Sequence, residues 1–293
     1  MNLALTVLEI VAPVFLLAGI GFTWVKMGFE YRIQFVTQLA MTLAVPCLIF
    51  VSLMNTKIDP AALTALSLAS VAAYAAVSVA AVVLVLALRL NRRTFTAPLI
   101  FGNTGNLGLP LALFAFGETG LSYAVVVFAI MAIWSFTFGI WLVAGAGSFG
   151  KVLREPLVWG TLLGALFLWQ GWQTPVFVTN TLTLIGQMAI PLMLITLGVA
   201  VARLSPAGIG KAIVLSFVKL LLCVGIAWIA GRWFALDKTA FGVLVLQVAT
   251  PVAVTSYLLA EKYGAESQAV AGLVVASTLM SIGALPLLLA LLL

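Results

Sequence analysis

Hydrophobic positions along this chain do not alternate with polar ones but come in long continuous runs. Each of ten such runs contains roughly 20 residues, enough for an α-helix to cross a hydrocarbon core about 30 Å thick. Strands of a membrane barrel would instead alternate between apolar and polar positions. We therefore predict an all-α integral membrane protein. Its spans, numbered 1 to 10 in chain order, are 3–25, 33–54, 62–88, 95–116, 120–144, 152–171, 179–202, 209–231, 239–260 and 267–292.

The composition of the chain agrees with this pattern. Of its 293 residues, 64% are hydrophobic and 8% are charged, and the mean hydropathy is +1.26. A soluble domain carries about 25% charged residues, because a surface in contact with water needs them. Lipid must therefore be most of the solvent around this chain, and a soluble enzyme is excluded.

Lysine and arginine are distributed unevenly between alternate loops. The positive-inside rule places the richer set of loops in the cytoplasm, which predicts a cell (inner) membrane protein with both termini outside the cytoplasm. This topology accounts for the formal net charge of +6 without a nucleic-acid partner. The predicted cytoplasmic residues are Lys26, Arg32, Arg89, Arg92, Arg93, Lys151, Arg154, Arg203, Lys211 and Lys262, against Lys57, Arg232 and Lys238 on the other side.

Prolines recur at a nearly constant separation between the two halves of the chain. This recurrence predicts two repeats, 1–146 and 147–293, with a boundary in a glycine-rich segment. Because each half has an odd number of spans, the second must enter the membrane from the opposite side, as in many secondary transporters. The alternative is that proline is simply common in transmembrane helices. The matching pairs are Pro13 with Pro156, Pro46 with Pro191, Pro60 with Pro206 and Pro110 with Pro251.

Spans 4 and 9 differ from the others because glycine, proline and polar residues interrupt them. Span 4 reads FGNTGNLGLP over 101–110, and span 9 reads QVATPVAVTSY over 247–257. Proline removes a backbone hydrogen bond, and lipid cannot satisfy the freed groups, so such breaks persist only where protein or water covers them. Paired broken helices indicate a substrate site near the middle of the membrane, and the amides at a half-helix N-terminus suit an anion.

Two sets of candidate residues follow from these interruptions. The alternative for the polar ones is that they only form hydrogen bonds with neighbouring helices. The candidate substrate-binding residues are Asn103, Thr104, Asn106, Gln247, Thr250, Thr255 and Lys219, and the candidate helix-crossover residues are Gly108, Pro110 and Pro251.

Lys219 is a charged residue near the middle of span 8. A charge at that depth costs a few kcal/mol, so its side chain is expected to face the protein interior. Two roles remain open: a fixed cation near the substrate, or a countercharge that holds the crossing of the two broken helices.

The remaining chemistry points to a carrier. The chain has no histidine, and Cys47 and Cys223 lie in apolar runs without metal-binding spacing, so no metal, cofactor or nucleophilic relay is predicted. The acidic residues fall in loops or at span ends, with Glu9 early in span 1, which argues against cation exchange. A Walker-type loop is also missing. A secondary transporter is therefore predicted; the alternative is a membrane-embedded sensor that binds an organic anion without moving it.

Two stretches resemble the auxin efflux carrier family, which includes the plant PIN proteins and their bacterial relatives. They are Asn103-Thr104…Gly108-Leu-Pro110-Leu and Gln247…Pro251…Ala260-Glu-Lys262-Tyr-Gly264. The long cytoplasmic loop of many plant carriers is absent, as in bacterial members. The resemblance implies a scaffold of spans 1, 2, 6 and 7 and a transport domain of spans 3–5 and 8–10, crossing at Pro110 and Pro251.

The same resemblance implies a function. It implies alternating access of the transport domain against the scaffold, with a homodimer formed through the scaffold side. The expected substrate is a small organic anion, a mono- or dicarboxylate such as malonate or malate or an auxin-like acid, carried across the plasma membrane.

Overall fold

The computed structural model describes residues 3–55, 58–144, 156–204 and 208–293. Over these ranges the chain is helical, and its one extended pairing is an antiparallel bridge between Gly102 and Val252. Three π-helical turns, Ala40–Ala44, Thr104–Gly108 and Ser135–Gly139, join neighbouring helices. The helices are α1 (Leu3–Lys26), α2 (Ile33–Leu39), α3 (Val45–Asn55), α4 (Pro60–Ala87), α5 (Arg92–Ile100), α6 (Leu109–Trp134), α7 (Ile140–Ala144), α8 (Pro156–Gln170), α9 (Val176–Gln187), α10 (Ala189–Arg203), α11 (Ile209–Trp233), α12 (Lys238–Val248), α13 (Val254–Lys262) and α14 (Ser267–Leu292).

Within the described ranges, seven helical stretches are long and apolar enough to cross a membrane. The stretch Thr104–Val143 has 40 residues. It contains Gly117, whose non-helical backbone (φ 66°, ψ −160°) lies between predicted spans 4 and 5. The helices α8 and α12 are apolar but shorter. The seven are Leu5–Lys26, Ile33–Asn55, Pro60–Ala87, Thr104–Val143, Val176–Arg203, Ile209–Trp233 and Ser267–Leu292.

The structure therefore has the all-helical, membrane-spanning character that the hydrophobic runs predict. The count of ten spans stays a prediction. The predicted repeat boundary at 146/147 and the motif containing Pro206 lie outside the described residues.

Several helices begin where short polar side chains can cap them. Asp59 accepts a hydrogen bond from the amide of Ala61 at 3.1 Å at the start of α4, where Pro60 occupies the first turn. Asp237 accepts from the amides of Thr239 and Ala240 at the start of α12. These side chains satisfy amides that lack an intrahelical partner, which explains why the helices start there.

Two of the π-helical turns precede prolines at the same spacing. Ala40–Ala44 ends two residues before Pro46, and Thr104–Gly108 ends two residues before Pro110. Because proline lacks an amide hydrogen and its ring crowds the preceding turn, a wider turn there relieves the conflict. The residue pattern thus sets these local irregularities.

The helices pack in two groups. In the first group α1 packs on α10, and α3 packs on both α8 and α9. Glycine allows these close approaches: a Cβ at Gly198 would collide with the carbonyl of Ala18, and one at Gly160 would lie 2.7 Å from the carbonyl of Pro46. In the second group α4 packs on α5, α6 and α11, and α11 packs on α12 and α14.

An apolar seam separates the two groups. The helix α1 packs on α6 and α14 across it. The buried side chains of this seam are aliphatic: Val7, Ile10, Val11, Val14, Leu107, Leu111, Leu194, Leu197, Leu246, Leu285 and Leu289. The second group contains both broken helices, so the candidate site lies within it and close to the seam.

Candidate crossover site

The interruptions in spans 4 and 9 meet through their backbones. The amide of Asn103 donates to the carbonyl of Pro251 at 2.7 Å, and the amide of Ala253 donates to the carbonyl of Phe101 at 3.2 Å. These two bonds enclose the bridge between Gly102 and Val252. Exchanging 101–103 with 251–253 converts one bond into the other, so the crossing has local two-fold symmetry.

Gly102 is required at the centre of this crossing. A Cβ there would collide with the Thr250 hydroxyl and would lie 3.0 Å from the Thr250 carbonyl. Only a residue without a side chain lets the two backbones approach this closely.

The three predicted crossover residues lie at different positions relative to this bridge. Pro251 lies in the break of span 9, next to the bridge, whereas Gly108 and Pro110 lie further along span 4. Gly108 ends the π-helical turn and Pro110 lies in the first turn of α6, because this segment resumes helical structure at Thr104. Gly108 has a different role: a Cβ there would collide with the carboxamide of Gln247, so its absence leaves room for that side chain.

Neighbouring side chains satisfy the backbone groups that the break in span 9 exposes. The Thr250 hydroxyl donates to the carbonyl of Gln247 at 2.7 Å, replacing the amide hydrogen that Pro251 lacks. The amide of Val252 donates to the Ser277 hydroxyl at 3.0 Å. The Lys219 ammonium donates to the carbonyl of Thr250 at 2.9 Å. This broken segment is therefore held by hydrogen bonds from α11 and α14.

Lys219 is buried, with 3% of its surface exposed. Besides the Thr250 carbonyl, its ammonium lies 3.9 Å from the Cys223 sulfur, one turn further along α11. The ammonium thus lies against the broken backbone. A countercharge that stabilises the crossing would need this contact.

Three predicted site residues have buried polar atoms without a hydrogen-bond partner among the described residues. These atoms are Nδ2 of Asn103, Oγ1 of Thr104, and both Nε2 and Oε1 of Gln247. Asn103 is 5% exposed, and Thr104 and Gln247 are fully buried. An unpaired buried polar atom costs about 1–3 kcal/mol, so natural proteins retain few of them without a functional reason.

The first amides of the helix that starts at Thr104 add donors to this cluster. A helix N-terminus has amides without an intrahelical acceptor and a partial positive charge. Asn103 stands at the N-cap of this helix without a side-chain capping bond. Donors of this kind suit a carboxylate.

Asn106 and Thr255 are less enclosed than the other candidates. Asn106 is half-buried, and Thr255 is exposed on α13. The structure therefore separates Thr255 from the buried set of Asn103, Thr104, Gln247 and Thr250.

Comparison with known proteins identifies the family. A model of the family described as membrane transport protein matches residues 6–152 and 146–289, which cover most of the chain. The chain belongs to this family, the auxin efflux carriers.

Two archaeal proteins are similar to this auxin efflux carrier family member, and both are named uncharacterized transporters. The relative from Methanocaldococcus jannaschii is 24% identical over 197 residues, covering 62% of this chain and 63% of the relative. The one from Methanothermobacter thermautotrophicus is 27% identical over 196 residues, covering 63% of each. The chain thus spans less than two thirds of the length of these relatives. That this family member is bacterial stays a prediction.

A large cavity in this family member was not predicted from the sequence. It has a volume of about 730 Å³ and lies between α3, α6 and the α9–α10 pair. None of the predicted site residues lines it. The lining residues are Leu48, Val51, Ser52, Asn55, Leu113, Glu118, Thr119, Leu121, Ser122, Leu182, Thr183, Gly186, Gln187, Ile190 and Pro191.

A polar contact between the two helix groups borders this cavity. The hydroxyls of Ser52 on α3 and Ser122 on α6 are 3.1 Å apart. Sequence reasoning missed the cavity because its polar residues are dispersed over several helices. Ser277 was also not predicted, because it lies on a helix distant in the chain from span 9. The proline at 251 does predict that backbone groups near it need hydrogen-bond partners.

Proposed function

We propose that this chain is a secondary transporter that carries a small organic anion across the plasma membrane by alternating access. The substrate class is a mono- or dicarboxylate, such as malonate or malate, or an auxin-like acid. The observation that supports this proposal best is the buried set of unpaired polar atoms on Asn103, Thr104 and Gln247 beside the crossing. A carboxylate would supply acceptors to these donors at the start of a half-helix.

The architecture proposed for this activity is ten spans in two inverted repeats, 1–146 and 147–293. The symmetric exchange of backbone hydrogen bonds at 101–103 and 251–253 supports a two-fold relation between the halves. The pairing of α1 with α10 and of α3 with α8 and α9 supports a scaffold of spans 1, 2, 6 and 7. The scaffold is also the proposed surface of a homodimer.

Movement between the two groups requires an interface that can slide. The seam between α1 and α10 on one side and α6, α12 and α14 on the other is aliphatic. Aliphatic contacts are non-directional. A shift along the seam therefore replaces one set of van der Waals contacts by another without breaking directional bonds. The contact between Ser52 and Ser122 would have to break in such a shift.

Lys219 is proposed to act mainly through the crossing. Its ammonium bonds the Thr250 carbonyl, directly beside Pro251, and a fixed cation there compensates the exposed backbone dipoles. It would also add positive potential for an anion held by the neighbouring donors.

Flux of labelled small carboxylates into proteoliposomes tests the proposal. The expected result is saturable uptake that requires the protein and that unlabelled carboxylate inhibits. Saturable binding without flux would instead favour a sensor that binds the anion but does not move it. A thermal-shift screen of small carboxylates on purified protein would select the compounds to label.

A further inference from the structure

The large cavity carries an acidic charge at its edge. Of the charged residues described in the structure, only Glu118 lines it. The other polar lining residues are neutral hydroxyls and amides: Ser52, Asn55, Thr119, Ser122, Thr183 and Gln187. This lining can hydrogen-bond a carboxylic acid, but its formal charge is negative.

The backbone fixes Glu118 in this position. Gly117 adopts a left-handed conformation (φ 66°) that interrupts α6, and Glu118 and Thr119 follow directly. Both are exposed, whereas Leu121 and Ser122, one turn later, are buried. The carboxylate therefore lies at an interruption between two helical segments, at the exposed edge of the cavity rather than in the core.

Other carboxylates near this end of the molecule have the same sign. The Tyr123 hydroxyl donates to Asp237 at 2.8 Å, and Asp59 also lies close enough to act on Tyr123 electrostatically. Both aspartates cap helix starts and do not line the cavity. Each of these carboxylates, like Glu118, repels an anion that approaches this end of the molecule.

We propose that Glu118 is a charge filter that makes this carrier select singly charged organic acids over dicarboxylates. The proposal rests on the function proposed above. A cavity of about 730 Å³ has room for both classes, so size does not separate them. Electrostatic repulsion separates the two classes, because its energy is proportional to the charge of the ligand. If the Glu118 charge lowers the affinity for a monoanion by a given factor, it lowers the affinity for a dianion by the square of that factor.

Substitution of Glu118 tests this filter. We compare the transport constants of one monocarboxylate and one dicarboxylate of equal chain length in proteoliposomes. Glu118→Gln should improve apparent affinity about threefold for the monocarboxylate and about tenfold for the dicarboxylate. Glu118→Asp keeps the charge and should retain the native ratio. High salt should reduce the native preference, because exposed charges are screened beyond about 8 Å at physiological ionic strength.

The matched control is Glu261→Gln, which removes an exposed carboxylate from α13, away from the cavity lining. It should leave both transport constants unchanged. A Glu118→Gln protein that is monodisperse but keeps the native preference overturns the filter, as does an equal improvement for both substrates. Failure of the native protein to transport either acid would instead count against the proposed function, so the two failures are distinguishable.

Discussion

Two kinds of buried polar side chain occur at the crossing: those that hydrogen-bond exposed backbone groups and those that have no hydrogen-bond partner. Thr250, Ser277 and Lys219 belong to the first kind, because each bonds a backbone group exposed by the break in span 9. Asn103 and Gln247 belong to the second, since Nδ2 of Asn103 and both carboxamide atoms of Gln247 lie buried without partners among the described residues. Replacing a residue of the first kind should lower the stability of the fold, and replacing one of the second kind should lower the affinity for the ligand.

Replacing Asn103 by alanine should weaken substrate binding with little loss of folded protein. Removing one buried donor to a charged group costs about 1.5–3 kcal/mol, roughly a ten- to hundredfold loss of affinity. Substrate affinity and flux are measured, with monodispersity as the folding check and Asn180→Ala, an exposed position on α9, as the matched variant. A well-folded Asn103→Ala protein with native affinity and flux would move the site away from the crossing.

Replacing Lys219 by methionine should lower both thermal stability and transport. The substitution leaves the Thr250 carbonyl without its donor, which costs about 1–3 kcal/mol. Lys219→Arg is not expected to restore function, because a planar guanidinium cannot occupy the position of a compact ammonium. Lys211→Met, at an exposed position earlier on α11, serves as control and should behave as native. Native stability and flux in Lys219→Met would refute its role at the crossing.

Each broken helix depends on the other for its missing hydrogen bonds. The amide of Asn103 is satisfied by Pro251, and the amide of Ala253 by Phe101, so neither segment is complete alone. Lipid offers no replacement for these bonds, so the two segments need each other in the folded protein.

Replacing Gly102 by alanine should disrupt the crossing. The added Cβ would collide with the Thr250 hydroxyl and lie 3.0 Å from the Thr250 carbonyl, and overpacking of this kind costs about 1–3 kcal/mol. Reduced thermal stability and loss of flux are expected. Gly225→Ala on α11 is the matched control, because a Cβ there meets nothing within 4 Å, and it should retain native stability. Equal behaviour of the two variants would mean that the close approach at Gly102 is not needed.

The distribution of charge over the whole molecule sets its expected orientation. The loops that are rich in lysine and arginine alternate with loops that are not, and a membrane protein keeps the rich ones in the cytoplasm. The charge filter proposed at Glu118 lies on the opposite side in this topology, in the same cavity lining as Asn55 at the end of α3.

Reporter fusions at Leu293 should be active only for an extracytoplasmic reporter. This follows from the charge asymmetry and from the two inverted repeats with an odd number of spans each. A fusion after Arg89, in a predicted cytoplasmic loop, is the internal control and should show the reverse activity. Cytoplasmic activity at Leu293 would contradict the inverted repeat.

Transport should not require sodium. Lys219 supplies a fixed positive charge at the crossing, and the acidic residues fall near span ends rather than at mid-membrane. Replacing sodium by potassium or choline should leave the flux largely unchanged. Strict dependence on sodium would indicate an ion site built from backbone carbonyls and hydroxyls.

The sequence by itself determined the features that depend on local composition. Continuous apolar runs require lipid and helices, because each helix satisfies its own backbone in a solvent without hydrogen bonds. Asp59 and Asp237 mark helix starts, and the prolines at 46, 110 and 251 mark irregular turns, because capping and the missing amide act within a few residues.

Only the tertiary structure decided which distant groups meet. It paired Gly102 with Val252 rather than the segment around Pro110, gave Lys219 the Thr250 carbonyl as partner, and combined Ser52, Glu118 and Gln187 into one cavity. These choices depend on how closely two backbones approach and on where a buried donor finds its acceptor. Both quantities are set by the packing of segments far apart in the chain, which no local pattern of residues contains.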